Sequence, residues 1–263
     1  MRFLRSLLFA LLMVAATIVW SFACFLSAPL PYRQRYWWTM RWSWLCIALA
    51  RLLCGIRYRV EGWDNLPDGP AILLSKHQSA WETIFYPVVM PRPLVFIFKR
   101  ELLWIPFFGW GIGLLRMIAI NRGASRDAFE QIVAQGDARL AAGCWIMMFP
   151  EGTRIPVGKS GHYKSGGARL ALRTGAPVVP IAVNSGECWP RNSFLKFPGT
   201  ITVSIGRPID PAGHDAASLI GAVEGWIEGE MHRLSPHAYR RDRSDAGHGG
   251  ATGQPGRATS RAA

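Results

Sequence analysis

From residue 6 to residue 31 the chain carries no charged side chain, and most positions are Leu, Phe, Ala, Val, Ile or Trp. A helix of that length covers a hydrocarbon core of roughly 30 Å. Arg2 and Arg5 ahead of it also fit an export signal, with residues 27–28 as a weak cleavage region, but the apolar run exceeds the usual core of such a signal. A second apolar stretch, residues 42–54, is interrupted by Arg51 and is short for a crossing. Around its start Tyr36, Trp37, Trp38, Trp42 and Trp44 stand among Arg33, Arg35 and Arg41, the mixture of rings and guanidiniums that a headgroup boundary favours. Residues 1–60 are therefore expected to form a membrane-anchoring helix pair, lying in one leaflet or including one true span. A hydrophobic helix pair merely packed on the domain is the plainer alternative.

After residue 62 the pattern turns globular. Apolar runs at residues 71–75, 94–98, 144–149, 178–184 and 200–205 read as strands. Between them lie helical stretches: residues 125–142, with Ser125 as N-cap and Gly143 as stop, and residues 166–174, closed by Gly175. A last helix is expected over residues 216–234. Alternation of this kind predicts an α/β domain over residues 61–235 with a mixed, largely parallel sheet. Residues 236–263 hold few apolar side chains and read as a disordered basic tail.

Composition narrows the partners. Half of the 263 residues are hydrophobic, 18% are charged and the formal net charge is +13, which calls for an anionic partner. Nucleic acid is set aside, because no helix-turn-helix, ribonucleoprotein or zinc-finger pattern is present. Eight arginines and no acidic residue precede Glu61, and six of them follow the first apolar run. That bias places the domain after residue 60 on the cytoplasmic side of an inner membrane. The five cysteines show no C-x-x-C spacing and are expected to be free, buried thiols in a reducing compartment, not a disulfide framework or a zinc site.

Two polar clusters follow apolar runs. Lys76-His77-Gln78-Ser79-Ala80-Trp81-Glu82 comes directly after residues 71–75. On one continuous helix His77 and Glu82 would stand about 140° apart. They meet only if His77 lies in the loop before a helix and Glu82 in its first turns. A carboxylate on one ring nitrogen then fixes the tautomer and leaves the other to take a proton from an alcohol. The plainer alternative is a strand-end histidine bonded to an acid for structural reasons. The second cluster, Phe149-Pro150-Glu151-Gly152-Thr153-Arg154, places an acid, a permissive glycine, a hydroxyl and a rigid cation suited to phosphate after residues 144–148. Lys99, Arg122 and Lys164 also stand beside apolar runs or glycine-bearing turns. Each alone is an ordinary surface charge; their recurrence at element ends suggests one anion site. No G-x-S-x-G elbow or H-E-x-x-H pair supports a hydrolase.

These residues resemble the glycerolipid acyltransferases, specifically the 1-acylglycerol-3-phosphate acyltransferases. The likeness is carried by His77-x4-Glu82, by Lys99-Arg100-Glu101-Leu102 with Pro106, Gly109 and Asn121-Arg122, by residues 149–154, and by Val178-Val179-Pro180-Ile181. It runs from about residue 70 to 210. The resemblance implies an αβ acyltransferase domain behind membrane-bound N-terminal helices. It also implies transfer from acyl-CoA or acyl carrier protein to the sn-2 hydroxyl of lysophosphatidic acid, giving phosphatidic acid, with no metal or cofactor. Carried over residue by residue, His77 is the base steadied by Glu82. Lys99, Arg122, Glu151 and Arg154, with Gly152 and Thr153 of the same motif, fall on glycerol phosphate positions, and Lys164 joins them. Two departures stand out: Glu82 replaces the usual Asp, and Asn121 replaces a common Asp before the arginine. Another lysolipid acceptor, such as a lyso-aminolipid, keeps the same chemistry. A non-catalytic lipid or acyl-carrier binder is the reading from a different class.

Overall fold

A computed structural model describes residues 1–120 and 126–239 of the chain. Two helices open it, α1 (Arg2–Leu26) and α2 (Tyr32–Cys54). They pack antiparallel: the Trp38 indole donates to the Ala23 carbonyl at 3.1 Å and the Trp42 indole to Thr17 Oγ1 at 3.1 Å. α1 is inverted relative to a helix on a soluble domain. Its buried positions are Ser6, Phe9, Ser21 and Cys24, while Leu4, Leu11, Val14, Val19 and Phe22 are exposed. Among the described residues it is the one helix long and apolar enough to cross a membrane. Gly55 closes α2 at φ +70°, with its N–H reaching back to the carbonyls of Ala50 and Arg51.

The domain then builds a seven-stranded sheet from the described residues, comprising β1 (Ile56–Glu61), β2 (Ile72–Ser75), β3 (Leu94–Lys99), β4 (Ile118–Ile120), β5 (Trp145–Met148), β6 (Val178–Val183) and β7 (Gly199–Ile205). Their order is β1-β7-β6-β2-β5-β3-β4, and every ladder is parallel except β6 with β7. This is the mixed, largely parallel sheet expected from the alternation. The central strands are buried on both faces, as parallel sheets under helices are. Leu73 of β2 and Val179 of β6 face α2 and α3 (Trp81–Val89), whereas Ile72 and Leu74 face the other layer. That layer is α5 (Arg126–Ala141), α6 (Gly166–Thr174) and α7 (Ala216–Leu234), and a short α4 (Phe108–Gly113) lies between β3 and β4.

Two expectations shift and one falls outside the described residues. Ile56–Glu61 belongs to the sheet, so the helix pair ends at Cys54 and not at residue 60. Alternation of Ile56, Tyr58 and Val60 with Arg57, Arg59 and Glu61 is an edge strand, hidden by the arginine count that drew it into the anchor. The expected cap Ser125 lies outside the described residues. The chain also stays packed past 235: Tyr239 is buried against the α7 layer, and residues 240–263 lie outside the described region.

Candidate active site

β2, β5, β3 and β4 are neighbours and all parallel, so their C-terminal ends share one edge of the sheet. In open α/β sheets that edge is where ligands bind. β2 ends at Ser75, and Lys76–Ala80 form the loop into α3. His77 therefore stands before the helix and Glu82 in its first turn, the disposition the sequence spacing required. His77 Nδ1 lies 3.4 Å from Glu82 Oε2, outside hydrogen-bond geometry, so among the described residues this buried nitrogen has no hydrogen-bond partner. The imidazole stacks on Phe149 with centroids 3.9 Å apart and planes 18° apart, which fixes the ring plane.

The Glu82 side chain is fully buried and surrounded by donors. Its Oε1 accepts the N–H groups of Gln78 and Ser79 at 2.9 Å each and the Ser185 hydroxyl, and its Oε2 accepts Ser79 N–H at 3.0 Å. A carboxylate reaching back over the first turn satisfies amides that otherwise lack partners, as in a capping box.

The 151–154 turn follows β5 and is stitched to the His77 backbone. Glu151 Oε2 accepts His77 N–H at 3.0 Å, and Ile155 N–H donates to the His77 carbonyl at 2.7 Å. Glu151 Oε1 accepts Gly161 N–H at 3.2 Å and Lys76 Nζ at 2.6 Å. Lys76, fully buried, also donates to Glu228 Oε1 of α7 at 2.7 Å and to the Lys159 carbonyl at 3.2 Å. Burial pushes the Glu151 carboxyl above its ordinary range, and the Lys76 ammonium partly pulls it back. Glu151 thus lies behind His77 with both oxygens occupied. The resemblance assigns Glu151 to the glycerol phosphate, whereas here both of its oxygens are taken by Lys76, Gly161 and the His77 amide.

An apolar cavity of about 640 Å3 opens beside the histidine. Its walls come from Trp20 of α1, Met40 of α2, Ile84 of α3, Phe96 of β3 and Ile112 of α4, and His77, Gly152 and Arg154 also line it. Gly152 holds φ +67°, and a Cβ there would lie 2.9 Å from Lys164 Nζ, so Lys164 is packed directly on this turn. Thr153 is exposed on the turn. The structure therefore brings His77, Glu82, Gly152, Arg154 and Lys164 together. Lys99 ends β3 on the same sheet edge, and Arg122, two residues beyond β4, lies outside the described residues.

Sequence reasoning missed Lys76, Ser185 and Glu228. Lys76 adjoins the histidine and carries a signal in hindsight, since a lysine continuing a buried strand needs partners. Nothing local distinguishes Glu228 from Glu224 or Glu230 on the same helix.

A family model described as Acyltransferase matches residues 57–184. The 1-acyl-sn-glycerol-3-phosphate acyltransferase of Pseudomonas aeruginosa is 44% identical over 242 residues, covering 90% of this chain and 94% of that protein. The chloroplastic enzyme of that name, LPAT1 of Arabidopsis thaliana, is 30% identical over 183 residues, covering 68% of this chain and 50% of that longer protein. The crystal structure of PlsC, the 1-acyl-sn-glycerophosphate acyltransferase of Thermotoga maritima, has the same fold, with a TM-score of 0.74 at 23% identity over 89% of this chain and 96% of that one.

Proposed function

The chain belongs to the 1-acyl-sn-glycerol-3-phosphate acyltransferase family, and from that premise we propose that it moves a fatty acyl group from a thioester to the sn-2 hydroxyl of lysophosphatidic acid, giving phosphatidic acid. The observation that carries this reading is the placement of His77, with Glu82 behind it, against a cavity sized for an acyl chain. Nδ1 faces the carboxylate, so Nε2 is the nitrogen that accepts the hydroxyl proton. The alkoxide adds to the thioester carbonyl, and the tetrahedral oxyanion collapses by breaking the C–S bond. The departing thiolate recovers the proton from the imidazolium. The 3.4 Å gap closes to a hydrogen bond when the acceptor binds, since catalytic contacts commonly tighten only in the complex.

Arg154 and Lys164, with Lys99 and Arg122, hold the acceptor phosphate; a planar guanidinium suits its paired oxygens. The donor is acyl-CoA or acyl carrier protein, both anionic and both matched by the +13 charge. The apolar outer face of α1 lies in membrane lipid, and the arginine bias sets the domain on the cytoplasmic face. The deciding experiment assays purified enzyme on a panel of lysolipids with both donors. Product from lysophosphatidic acid is expected, with turnover falling about 10²-fold or more in His77→Ala while the protein stays folded. No product from that acceptor, or an unaffected His77→Ala enzyme, ends the reading.

A further inference from the structure

We infer that Glu228, on α7 and 152 residues from Lys76 in sequence, is a positioning residue for the catalytic histidine, acting through Lys76 and Glu151. The inference rests on the reading of His77 as the base. The Lys76 ammonium has three protons and three acceptors: Glu151 Oε1, Glu228 Oε1 and the Lys159 carbonyl. It is saturated, with no donor left for substrate. Glu228 is itself fixed, because Tyr163 and Ser160 donate to its two oxygens at 2.7 Å each. A rigid line of contacts therefore runs from α7 through Glu228, Lys76 and Glu151 to the backbone N–H of His77.

What lies at the end of that line separates it from ordinary core packing. Glu151 Oε2 holds the peptide that carries the imidazole, and Glu151 is kept in place by an ammonium shared with Glu228. Two carboxylates around one buried ammonium repel each other, so the cluster keeps its geometry only while all three groups are present. Removing the Glu228 charge lets Lys76 move wholly onto Glu151 and draws the His77 loop with it. A shift of about 1 Å at a catalytic group costs on the order of 10²-fold in rate.

Glu228→Gln preserves shape and tests the charge. The expected result is a kcat about 10- to 100-fold lower, with KM for acceptor and donor within about twofold and an unchanged thermal midpoint. In a Lys76→Met background Glu228→Gln is expected to add no further loss, because its effect passes through that ammonium. Wild-type kcat in Glu228→Gln, a change confined to KM, or losses that multiply in the double variant overturn the inference. Should Lys76→Met fail to fold, the kcat and KM split of the single variant decides alone. His77→Ala measured alongside separates the two levels: an active His77→Ala enzyme defeats the base assignment itself, whereas an inactive one with unimpaired Glu228→Gln defeats only the link.

Discussion

Glu82, the acid of the proposed dyad, makes its hydrogen bonds to backbone amides and to Ser185. Its orientation is therefore held independently of the histidine, which is what a fixed tautomer requires. Glu82→Gln tests this. With Oε1 still accepting from Gln78, Ser79 and Ser185, the amide nitrogen falls at the Oε2 position, gives up the second, shared contact with Ser79 N–H, and donates toward His77 Nδ1. That reverses the imidazole tautomer and places the proton on the nitrogen needed as base. Turnover is expected to fall about 10²-fold or more while KM and thermal midpoint change little, as steady-state kinetics and melting curves can read. Comparable loss of folded protein in place of turnover shows that Glu82 is only a cap.

At the scale of elements, α7 and α1 make contrasting predictions. Asp215 caps α7, accepting Ser218 N–H at 2.7 Å while the Ser218 hydroxyl returns a contact to Asp215 N–H at 3.0 Å. The Ser218 amide holds the Asp215 carboxyl below its ordinary range. A carboxyl lowered by folding stabilises fully above its unfolded value of about 3.9 and loses that contribution as pH falls through the folded value. Asp215→Ala is thus expected to melt lower than wild type at neutral pH, with the gap shrinking below about pH 4. For α1 the proposed setting is lipid. Leu11 is 60% exposed on its apolar face, where a charge costs little in water but about 3 kcal/mol in hydrocarbon. Leu11→Lys is expected to weaken flotation with anionic vesicles without lowering activity in detergent; unchanged flotation places α1 outside the bilayer core. Pro180 shows a different element-level solution. It occupies a central strand without an N–H, tolerated because the β7 ladder spans only Ile181–Val183, and Val178 pairs separately with Ile209.

The whole molecule joins what the sequence presents as anchor and domain. Phe9 of α1 lies in the same core as Trp81, Trp189 and Val203, and Ser6 Oγ accepts Lys196 N–H at 3.0 Å, so the hairpin is part of the body. It also supplies one wall of the cavity, through Thr17, Trp20, Met40 and Ser43, facing α3, β3 and α4. On the proposed function, an acyl chain in this cavity would lie between the N-terminal helices and the layer that carries His77. Ile112→Trp, which narrows that space from the α4 side, is expected to shift preference toward shorter acyl donors, read from kcat/KM across a chain-length series. A profile identical to wild type shows that acyl groups bind elsewhere.

Much of this was legible along the chain because periodicity and punctuation are local. The strands β2, β3, β5, β6 and β7 announce themselves as apolar runs, α7 was readable to its end residues, and Gly143 and Gly175 mark helix stops. The spacing of His77 and Glu82 also fixed how they had to stand, since a helix cannot bring residues five apart to one face. Partnership across the fold was not readable. Glu228 meets Lys76, Ser185 meets Glu82, and Glu151 turns inward, because burial removes water and leaves each charge to whatever group the tertiary packing sets beside it.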